Sequence, residues 1–264
     1  MHLPSRSPYI NIIANAIIKA SRPLLRDFGE VENLQVSSKG TKGFVTSADM
    51  RAEKILREEL SKAKPTFGFL LEESGSIAGE DSQARWLVDP LDGTTNFIHG
   101  IPHFAISVAL EVNGEIIAAV TYDPVRAEMF WAEKGGGTFL NNRRLRVSGR
   151  RNLPESLLGT CNAASTMPHP DYHENLQKVE SSVAGIRRLG AATLDLAYVA
   201  AGRYEGFWQA RLEPWDMAAG ILMVREAGGY VTDLNGETHM FTDMSIVAGN
   251  EFIHPLLIKT FQAK

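Results

Sequence analysis

The start of the chain carries a hydrophobic stripe at helical spacing. Ile10, Ile13 and Ile17 recur at intervals of three and four residues, and Asn11 and Asn15 fall on the opposite face. This pattern predicts an amphipathic helix over residues 8–29 that packs one side against a core. Because polar positions interrupt the apolar run, the segment fits neither a membrane span nor the apolar centre of a secretory signal.

A second amphipathic helix is predicted after a polar loop. Residues 37–43 are rich in serine, lysine and glycine, a composition typical of a mobile loop. The Thr-Ser-Ala-Asp segment at 46–49 then begins a helix, because threonine and serine cap helices well and an acid in the first turn favours the helix dipole. Pro65 ends this helix.

The pattern that follows predicts an antiparallel sheet. Apolar strands are expected at 66–71 and 86–88, and Asn-Gly at 113–114 is a strong hairpin signal between two further apolar runs. Pro90 is expected to end the strand before it, since proline cannot donate a hydrogen bond inside a sheet. The remaining strands are predicted at 104–111, 116–122 and 127–132. Two helices and this sheet form an α+β half over residues 1–150.

From residue 156 onward the pattern alternates between strands and helices, which is typical of an α/β arrangement. Strands are predicted at 157–161, 186–189, 204–209, 229–233 and 245–248. Helices are predicted at 170–183, 190–201, 215–227 and 251–261. We expect these elements to form a second half, residues 151–264, that completes a site begun in the first.

Composition narrows the class of protein. The chain has 264 residues, 44% of them hydrophobic, so it can bury a large core. Its formal charge of −4 argues against direct nucleic-acid binding, and no apolar run is long enough for a membrane span. The single cysteine, Cys161, excludes an internal disulfide and suits a reducing cytoplasm.

Four acidic residues stand where predicted elements begin or end: Glu72, Asp89, Asp92 and Asp216. If the strands ending in Glu72 and Asp89 are neighbours, their carboxylates lie together and repel one another unless cations are bound. An all-oxygen set favours Mg²⁺ or Mn²⁺ over zinc. Taken by itself, Asp216 is better interpreted as a helix N-cap. The Gly-Thr turn at 93–94 would add backbone amides suited to a phosphate.

Three segments together identify a family resemblance. Leu-Glu-Glu-Ser at 71–74, Asp-Pro-Leu-Asp-Gly-Thr-Thr-Asn-Phe at 89–97 and Trp-Asp-Met-Ala-Ala-Gly at 215–220 resemble, in order and spacing, the inositol monophosphatase family. The resemblance covers nearly the whole chain. It implies a layered αβαβα sandwich and a phosphoric monoester hydrolase activity.

The resemblance also implies metal-binding and catalytic roles. Glu72, Asp89 and the carbonyl of Leu91 would hold one Mg²⁺, and Asp89 would share a second with Asp92 and Asp216. A weaker third ion would lie near Glu72. The catalytic candidates are Glu72, Asp49 and Thr94, with Thr94 and Asp49 orienting the attacking water.

The substrate contacts implied by the resemblance include positions where this chain differs from the family. They comprise Asp92, Gly93, Thr94, Thr95, the Ala192 amide, Gln209 and Asp216. The family has a glutamate where this chain has Gln209, which keeps hydrogen bonding but loses the charge. Glu213 could compensate, although a solvated loop acid is the better interpretation. Gly43 replaces an acid found in some relatives, and Lys39 is a candidate to close over the anion.

The resemblance leads to an expected activity and two alternatives. The expected activity is Mg²⁺-dependent hydrolysis of a small polyol phosphate, and myo-inositol 1-phosphate is the expected substrate. Inhibition by lithium is also expected. Fructose 1,6-bisphosphate, histidinol phosphate or a 3′-phosphonucleotide are alternative substrates. Because some bacterial relatives bind RNA polymerase or transcription machinery, a regulatory role is the second alternative. A homodimer is expected, with the Arg-Arg pair at 187–188 on its interface.

Overall fold

The first layer of the molecule is a pair of helices. A computed structural model describes residues 6–30, 36–38, 44–161 and 172–263. Helix α1 spans Pro8–Phe28, and its apolar stripe is buried as expected. Strands β1 (Val36–Ser38) and β2 (Phe44–Thr46) form an antiparallel pair that leads into α2 (Ser47–Ala63).

The loop prediction before α2 is partly wrong. Ser37 and Ser38 lie in β1, because their backbone pairs with Val45 and Phe44 of β2. Lys39 and Gly43 lie outside the described residues.

The second layer is an eight-stranded sheet. Its strands are β3 (Phe67–Leu71), β4 (Gly75–Ile77), β5 (Asp81–Asp92), β6 (Ala105–Val112), β7 (Glu115–Asp123), β8 (Glu128–Glu133), β9 (Gly137–Leu140) and β10 (Arg143–Arg144). Their order is β10-β9-β8-β7-β6-β5-β3-β4, and among the described residues only the β3–β5 pair is parallel. A short helix, α3 (Thr94–Ile98), follows β5. The predicted hairpin at 113–114 is confirmed: Asn113 and Gly114 have φ of 54° and 77°, as a type I′ turn requires.

The expected end of a strand at Pro90 is wrong, because β5 reaches Asp92. The pairing with β6 is nevertheless broken at that point. Asp89 lies opposite Ser107 and Asp92 opposite Ala105, so β5 has one residue more than its partner. Pro90 lies inside this bulge, where its missing N–H removes no ladder hydrogen bond.

The remaining elements form a second, smaller sheet and the helices around it. A 3₁₀ turn, Leu153–Glu155, precedes a five-stranded sheet. Its strands are β11 (Leu157–Thr160), β12 (Gly185–Arg187), β13 (Gly206–Ala210), β14 (Tyr230–Thr232) and β15 (Ser245–Gly249). Their order in the sheet is β12-β11-β13-β15-β14. The helices are α4 (Tyr172–Glu180), α5 (Ala192–Ala200), α6 (Pro214–Glu226), α7 (Met240–Asp243) and α8 (Ile253–Gln262). None of the described helices has the length and apolarity to cross a bilayer.

Alternation along the strands builds the layers into an αβαβα sandwich, which confirms the expected fold. Trp86 and Val88 of β5 pack beneath α1 and α2, whereas Leu87 points to the central core with α5 and α6. On the small sheet, Phe207 joins the same central core and Trp208 packs with α4 and α8. The central core therefore takes side chains from both sides of residue 150.

Candidate active site

Two parallel strands end side by side at the base of the site. Leu71 of β3 lies opposite Val88 of β5, and the N–H of Glu72 donates to the Val88 carbonyl at 3.2 Å. This register brings Glu72 beside Asp89, as the sequence predicts for neighbouring strands with aligned ends. The Leu91 N–H donates to Asp89 Oδ1 at 3.0 Å, so the bulge folds back on the carboxylate it follows.

The turn after β5 needs a glycine. Gly93 has φ of 91° and precedes α3, and a Cβ there would lie 3.0 Å from the His103 carbonyl oxygen. Only glycine adopts that φ without strain, so Gly93 lets the backbone turn directly into the helix. Thr95 is exposed beyond this turn.

Thr94 links the turn to α2. Its Oγ1 lies 3.1 Å from Asp49 Oδ1 and 3.0 Å from the Leu91 carbonyl, so one hydroxyl proton has two acceptors within reach. Asp49 is fully buried and also accepts from the Thr46 N–H and hydroxyl at 2.8 and 2.6 Å. Asp49 thus serves both as the capping-box acid of α2 and as a partner of Thr94. Burial raises its pKa, and the hydrogen bonds from Thr46 and Thr94 oppose that rise.

Four carboxylates share the cleft, and three of them have a raised pKa. Asp89 is only 1% exposed, while Glu72, Asp92 and Asp216 are half-buried. Burial raises the pKa of Asp89, and the charges of Glu72, Asp92 and Asp216 add to the rise. The pKa of Asp216 is raised in the same way, first by burial and then by Glu72 and Asp92. A cluster of this kind, with oxygen donors alone, fits a hard divalent cation.

The cluster is not already shaped as a cation cage. Glu72 raises the pKa of Asp89 through its charge and, to a smaller extent, through a side-chain hydrogen bond. Across the described part of the chain, no group of three or more Asp, Glu, His or Cys side chains is arranged to hold a metal ion.

The second half of the chain contributes from two helix starts. Asp216 is the third residue of α6, and its Oδ2 accepts from the Glu213 N–H at 2.8 Å. The N-cap is therefore Glu213 and not Asp216, which corrects both the N-cap alternative for Asp216 and the loop position expected for Glu213. At α5, the N–H and hydroxyl of Thr193 donate to Asp92 Oδ2 at 2.8 and 2.6 Å.

Burial and hydrogen bonding shift the pKa of Asp92 in opposite directions. Burial raises its pKa to about 6, although Thr193 and the Ala192 and Gly93 backbone lower it. The predicted Ala192 amide is thus beside Asp92, but its neighbour Thr193, which the sequence did not single out, makes the side-chain contact.

Gln209 is buried on β13. It pairs across the sheet with Ile246 and shares a face with Phe207, so it points towards the central layer of α5 and α6. It is 3% exposed, and its Oε1 finds no hydrogen-bond partner among the described residues.

Sequence reasoning also missed Glu53 and Asn96. Glu53 is a buried carboxylate on α2 that accepts from the Glu73 N–H at 2.8 Å and from the Ser74 hydroxyl. A signal for it exists: an acid four residues after Asp49, on the apolar face of the helix. Asn96 Nδ2 donates to the carbonyls of His103 and Leu189 at 2.8 and 2.7 Å, and nothing local in the sequence indicates that long-range contact.

The layered fold is shared with solved inositol monophosphatases, which are phosphoric monoester hydrolases. A model of the inositol monophosphatase family matches residues 5–264, and the chain belongs to this family. Members of the family bind phosphate esters and are generally metal-dependent.

Individual relatives agree with this assignment. An inositol-1-monophosphatase from Mesorhizobium japonicum is 54% identical over 261 residues, covering 97% of this chain and 96% of the relative. The Nus factor SuhB of Pseudomonas aeruginosa is 45% identical over 97% of this chain and 96% of its own length. The crystal structure of extragenic suppressor protein suhB from Bartonella henselae superposes with a TM-score of 0.93 at 55% identity, covering 97% of this chain and 99% of that one.

Proposed function

We propose that this chain uses Mg²⁺ to hydrolyse a small polyol phosphate monoester, and that myo-inositol 1-phosphate is its preferred substrate. The observation that carries the proposal is the meeting of four carboxylates beside the Gly93 turn. Residues 1–150 and 151–264 act as two halves in this proposal, since Glu72, Asp89 and Asp92 come from the first and Asp216 from the second.

The donor set suits two to three Mg²⁺ ions, with Mn²⁺ as a substitute. Glu72, Asp89 and the Leu91 carbonyl would hold one ion, and Asp89, Asp92 and Asp216 a second; a third would lie near Glu72. A bound cation would offset the repulsion of Asp89 by Glu72, Asp92 and Asp216, which raises the pKa of Asp89 in its absence. When bound, divalent cations neutralise the phosphate, acidify water and stabilise the leaving alkoxide.

The protein's own groups would orient the reactants. The backbone amides of Gly93, Thr94 and Thr95 would bind phosphate oxygens at the start of α3. Thr94 would accept a hydrogen bond from the attacking water while its own proton points to Asp49, 3.1 Å away. Asp49 thereby fixes the direction of the Thr94 lone pairs, and with Glu72 it completes the catalytic set.

The alcohol side of the substrate would meet Asp92, the Ala192 amide, Gln209 and Asp216. Gln209 can both donate to and accept from a hydroxyl. The lack of charge at this position supports the alternative substrates: fructose 1,6-bisphosphate, histidinol phosphate and a 3′-phosphonucleotide.

A phosphate-release panel with Mg²⁺ tests the activity. Inositol 1-phosphate is expected to give the highest kcat/KM among these four substrates, and a strong preference for fructose 1,6-bisphosphate would reject the first choice. Asp92→Asn should abolish turnover and keep the fold, because it removes a cation ligand without changing the side-chain shape. Asp243→Asn, at an exposed acid on α7, is the matched control. Undiminished turnover in the Asp92 variant would contradict the ligand assignment.

A second candidate function is a regulatory contact with RNA polymerase, favoured by the relative named Nus factor SuhB. Capture of purified polymerase by both the natural protein and Asp92→Asn would support it, and capture by neither would oppose it. We further propose a cytoplasmic homodimer with Arg187 and Arg188 on its interface, and inhibition by lithium.

A further inference from the structure

One side chain of the second half reaches across the cleft to a carboxylate of the first. Thr193 is the second residue of α5 and is fully buried. Its N–H and its hydroxyl both donate to the same oxygen of Asp92, Oδ2, at 2.8 and 2.6 Å. These two residues are 101 positions apart in sequence, so the contact depends on the assembled fold.

The two donors have different consequences for Asp92. The backbone N–H would be present with any residue at position 193 except proline. The hydroxyl belongs to this threonine, and its 2.6 Å distance is typical of a strong, charge-assisted hydrogen bond. Because both donors of Thr193 engage Oδ2, they restrict the rotation of the Asp92 carboxylate.

The support behind Thr193 is rigid. The residues that follow it on α5 are buried in the central core, including Leu194, Leu196 and Ala197, each at 0% exposure. The packing of these residues holds the backbone that carries the Thr193 hydroxyl. Groups that orient metal-ligating carboxylates in this way typically change metal affinity or activity by about 10- to 100-fold when removed.

We propose that the Thr193 hydroxyl is a positioning group that fixes the Asp92 carboxylate for cation binding. The inference rests on the proposed function, in which Asp92 holds an ion. Thr193 has no contact with the reacting atoms in this proposal, so its hydroxyl affects cation binding through Asp92.

Thr193→Val removes the hydroxyl and keeps the side-chain shape and the backbone donor. We expect it to weaken Mn²⁺ binding by about 10-fold or more, measured by electron paramagnetic resonance of the free ion. The Mg²⁺ concentration needed for half-maximal phosphate release should rise to a similar extent. At saturating Mg²⁺, kcat should fall much less, because the chemical step uses the same groups once the ion is held.

Thr193→Ser restores a hydroxyl and should return the Mn²⁺ affinity to within about threefold of the natural protein. Thr138→Val is the matched control. The Thr138 hydroxyl is also fully buried and also joins the two halves, donating to the Met223 carbonyl at 2.6 Å, but it lies away from the carboxylates. It should lower the melting temperature as Thr193→Val does and leave Mn²⁺ binding unchanged.

Mn²⁺ binding by Thr193→Val that equals the natural protein would overturn the inference. An equal loss of affinity in Thr138→Val would also overturn it, because the effect would then be one of stability. Thr193→Ala replaces the valine variant if that protein does not fold. The natural protein is the reference for both proposals. If it releases phosphate and binds Mn²⁺, then unchanged Mn²⁺ binding in the Thr193 variants contradicts only the role of Thr193. If the natural protein neither releases phosphate nor binds Mn²⁺, the proposed function is wrong.

Discussion

At the scale of single residues, the site holds buried carboxylates close together, and other contacts must offset the cost of their burial and repulsion. Asp89 and Asp216 are held close to other carboxylates, and burial and repulsion raise the pKa of both. Asp92 is less affected, with a pKa of about 6, because the Thr193 hydroxyl and nearby backbone N–H groups favour its charged form. Such placement is expected where a cation binds, since bound positive charge reverses the repulsion.

Gly93 is the second residue-scale feature, and its substitution gives a testable prediction. In Gly93→Ala, the new Cβ would meet backbone 3.0 Å away at a φ of 91°. We expect a loss of about 2–4 kcal/mol in the free energy of unfolding by urea, because the strain of a positive φ adds to a steric clash that backbone atoms cannot relieve. Phosphate release should fall at least tenfold, since the amides of the turn would shift.

Gly114→Ala is the control for this variant. Gly114 also has positive φ, at 77°, but the Cβ that alanine would add there meets no atom within 4 Å beyond its chain neighbours. Gly114→Ala therefore introduces the strain of a positive φ without the steric clash. It should lower the free energy of unfolding by about 1 kcal/mol and leave phosphate release unchanged. Equal effects of the two substitutions would show that the close approach at Gly93 is not important.

At the scale of elements, α2 supports the site at two successive turns. Asp49, in its first turn, holds Thr94, and Glu53, one turn later, holds the segment after β3. The Glu73 N–H and the Ser74 hydroxyl both donate to the Glu53 carboxylate. This segment begins at Glu72, so the helix fixes the strand end that carries a proposed cation ligand.

Removal of Glu53 is therefore predicted to affect both stability and metal binding. Glu53→Ala should lower the free energy of unfolding by about 2–4 kcal/mol, because two hydrogen bonds to a buried carboxylate are lost. It should also raise the Mg²⁺ concentration for half-maximal activity by about tenfold. Glu58→Ala, at an exposed position of the same helix, should change neither property. A destabilised Glu53 variant with unchanged Mg²⁺ dependence would limit Glu53 to a structural role.

Elements were more predictable from sequence than the contacts between them. The stripe of α1, the hairpin at 113–114 and the strand–helix alternation after residue 156 are local signals, and they gave the elements within a few residues. The extension of β5 through Pro90 was missed because a bulge depends on the partner strand, which no local pattern specifies.

The site shows the same division. The acids that end strands or begin helices were visible as sequence motifs: Glu72, Asp89, Asp92 and Asp216. The contacts of Thr193 and Asn96 join residues about a hundred positions apart, and they exist only once the layers have stacked. Threonine and asparagine are common near the starts of helices, where both of these residues lie, so nothing local in the sequence indicates their long-range contacts.

At the scale of the whole molecule, the large and the small sheet are joined through one core and several polar contacts. The central core includes Leu87 of the large sheet and Phe207 of the small one. Glu226 of α6 accepts from the Gly135 and Gly137 N–H groups at 2.7 and 2.9 Å, which ties the β8–β9 turn to the second half. Because these contacts hold Asp216 opposite Asp89, cation binding and global stability should be linked.

This linkage predicts how stability depends on pH without metal. The pKa of Asp92 rises from its ordinary value to about 6 on folding, so the folded state holds a proton more tightly than the unfolded chain. Its contribution to stability is thus fully present below about pH 4 and is lost as pH rises through 6. The pKa values of Asp89 and Asp216 are also well above their ordinary range, so the loss continues at higher pH.

Mg²⁺ should reverse this trend, because it binds the deprotonated carboxylates. We expect the melting-temperature gain from excess Mg²⁺ over EDTA to be small at pH 5 and to grow through pH 8, where saturation at about 100 times Kd corresponds to about 2.7 kcal/mol. The difference between the two curves isolates the site, since groups away from the cleft titrate in both. Asp92→Asn should reduce the gain at pH 8, and Asp243→Asn should retain it. A gain that is equal at pH 5 and pH 8 would mean that Mg²⁺ stabilises the protein at groups other than these carboxylates.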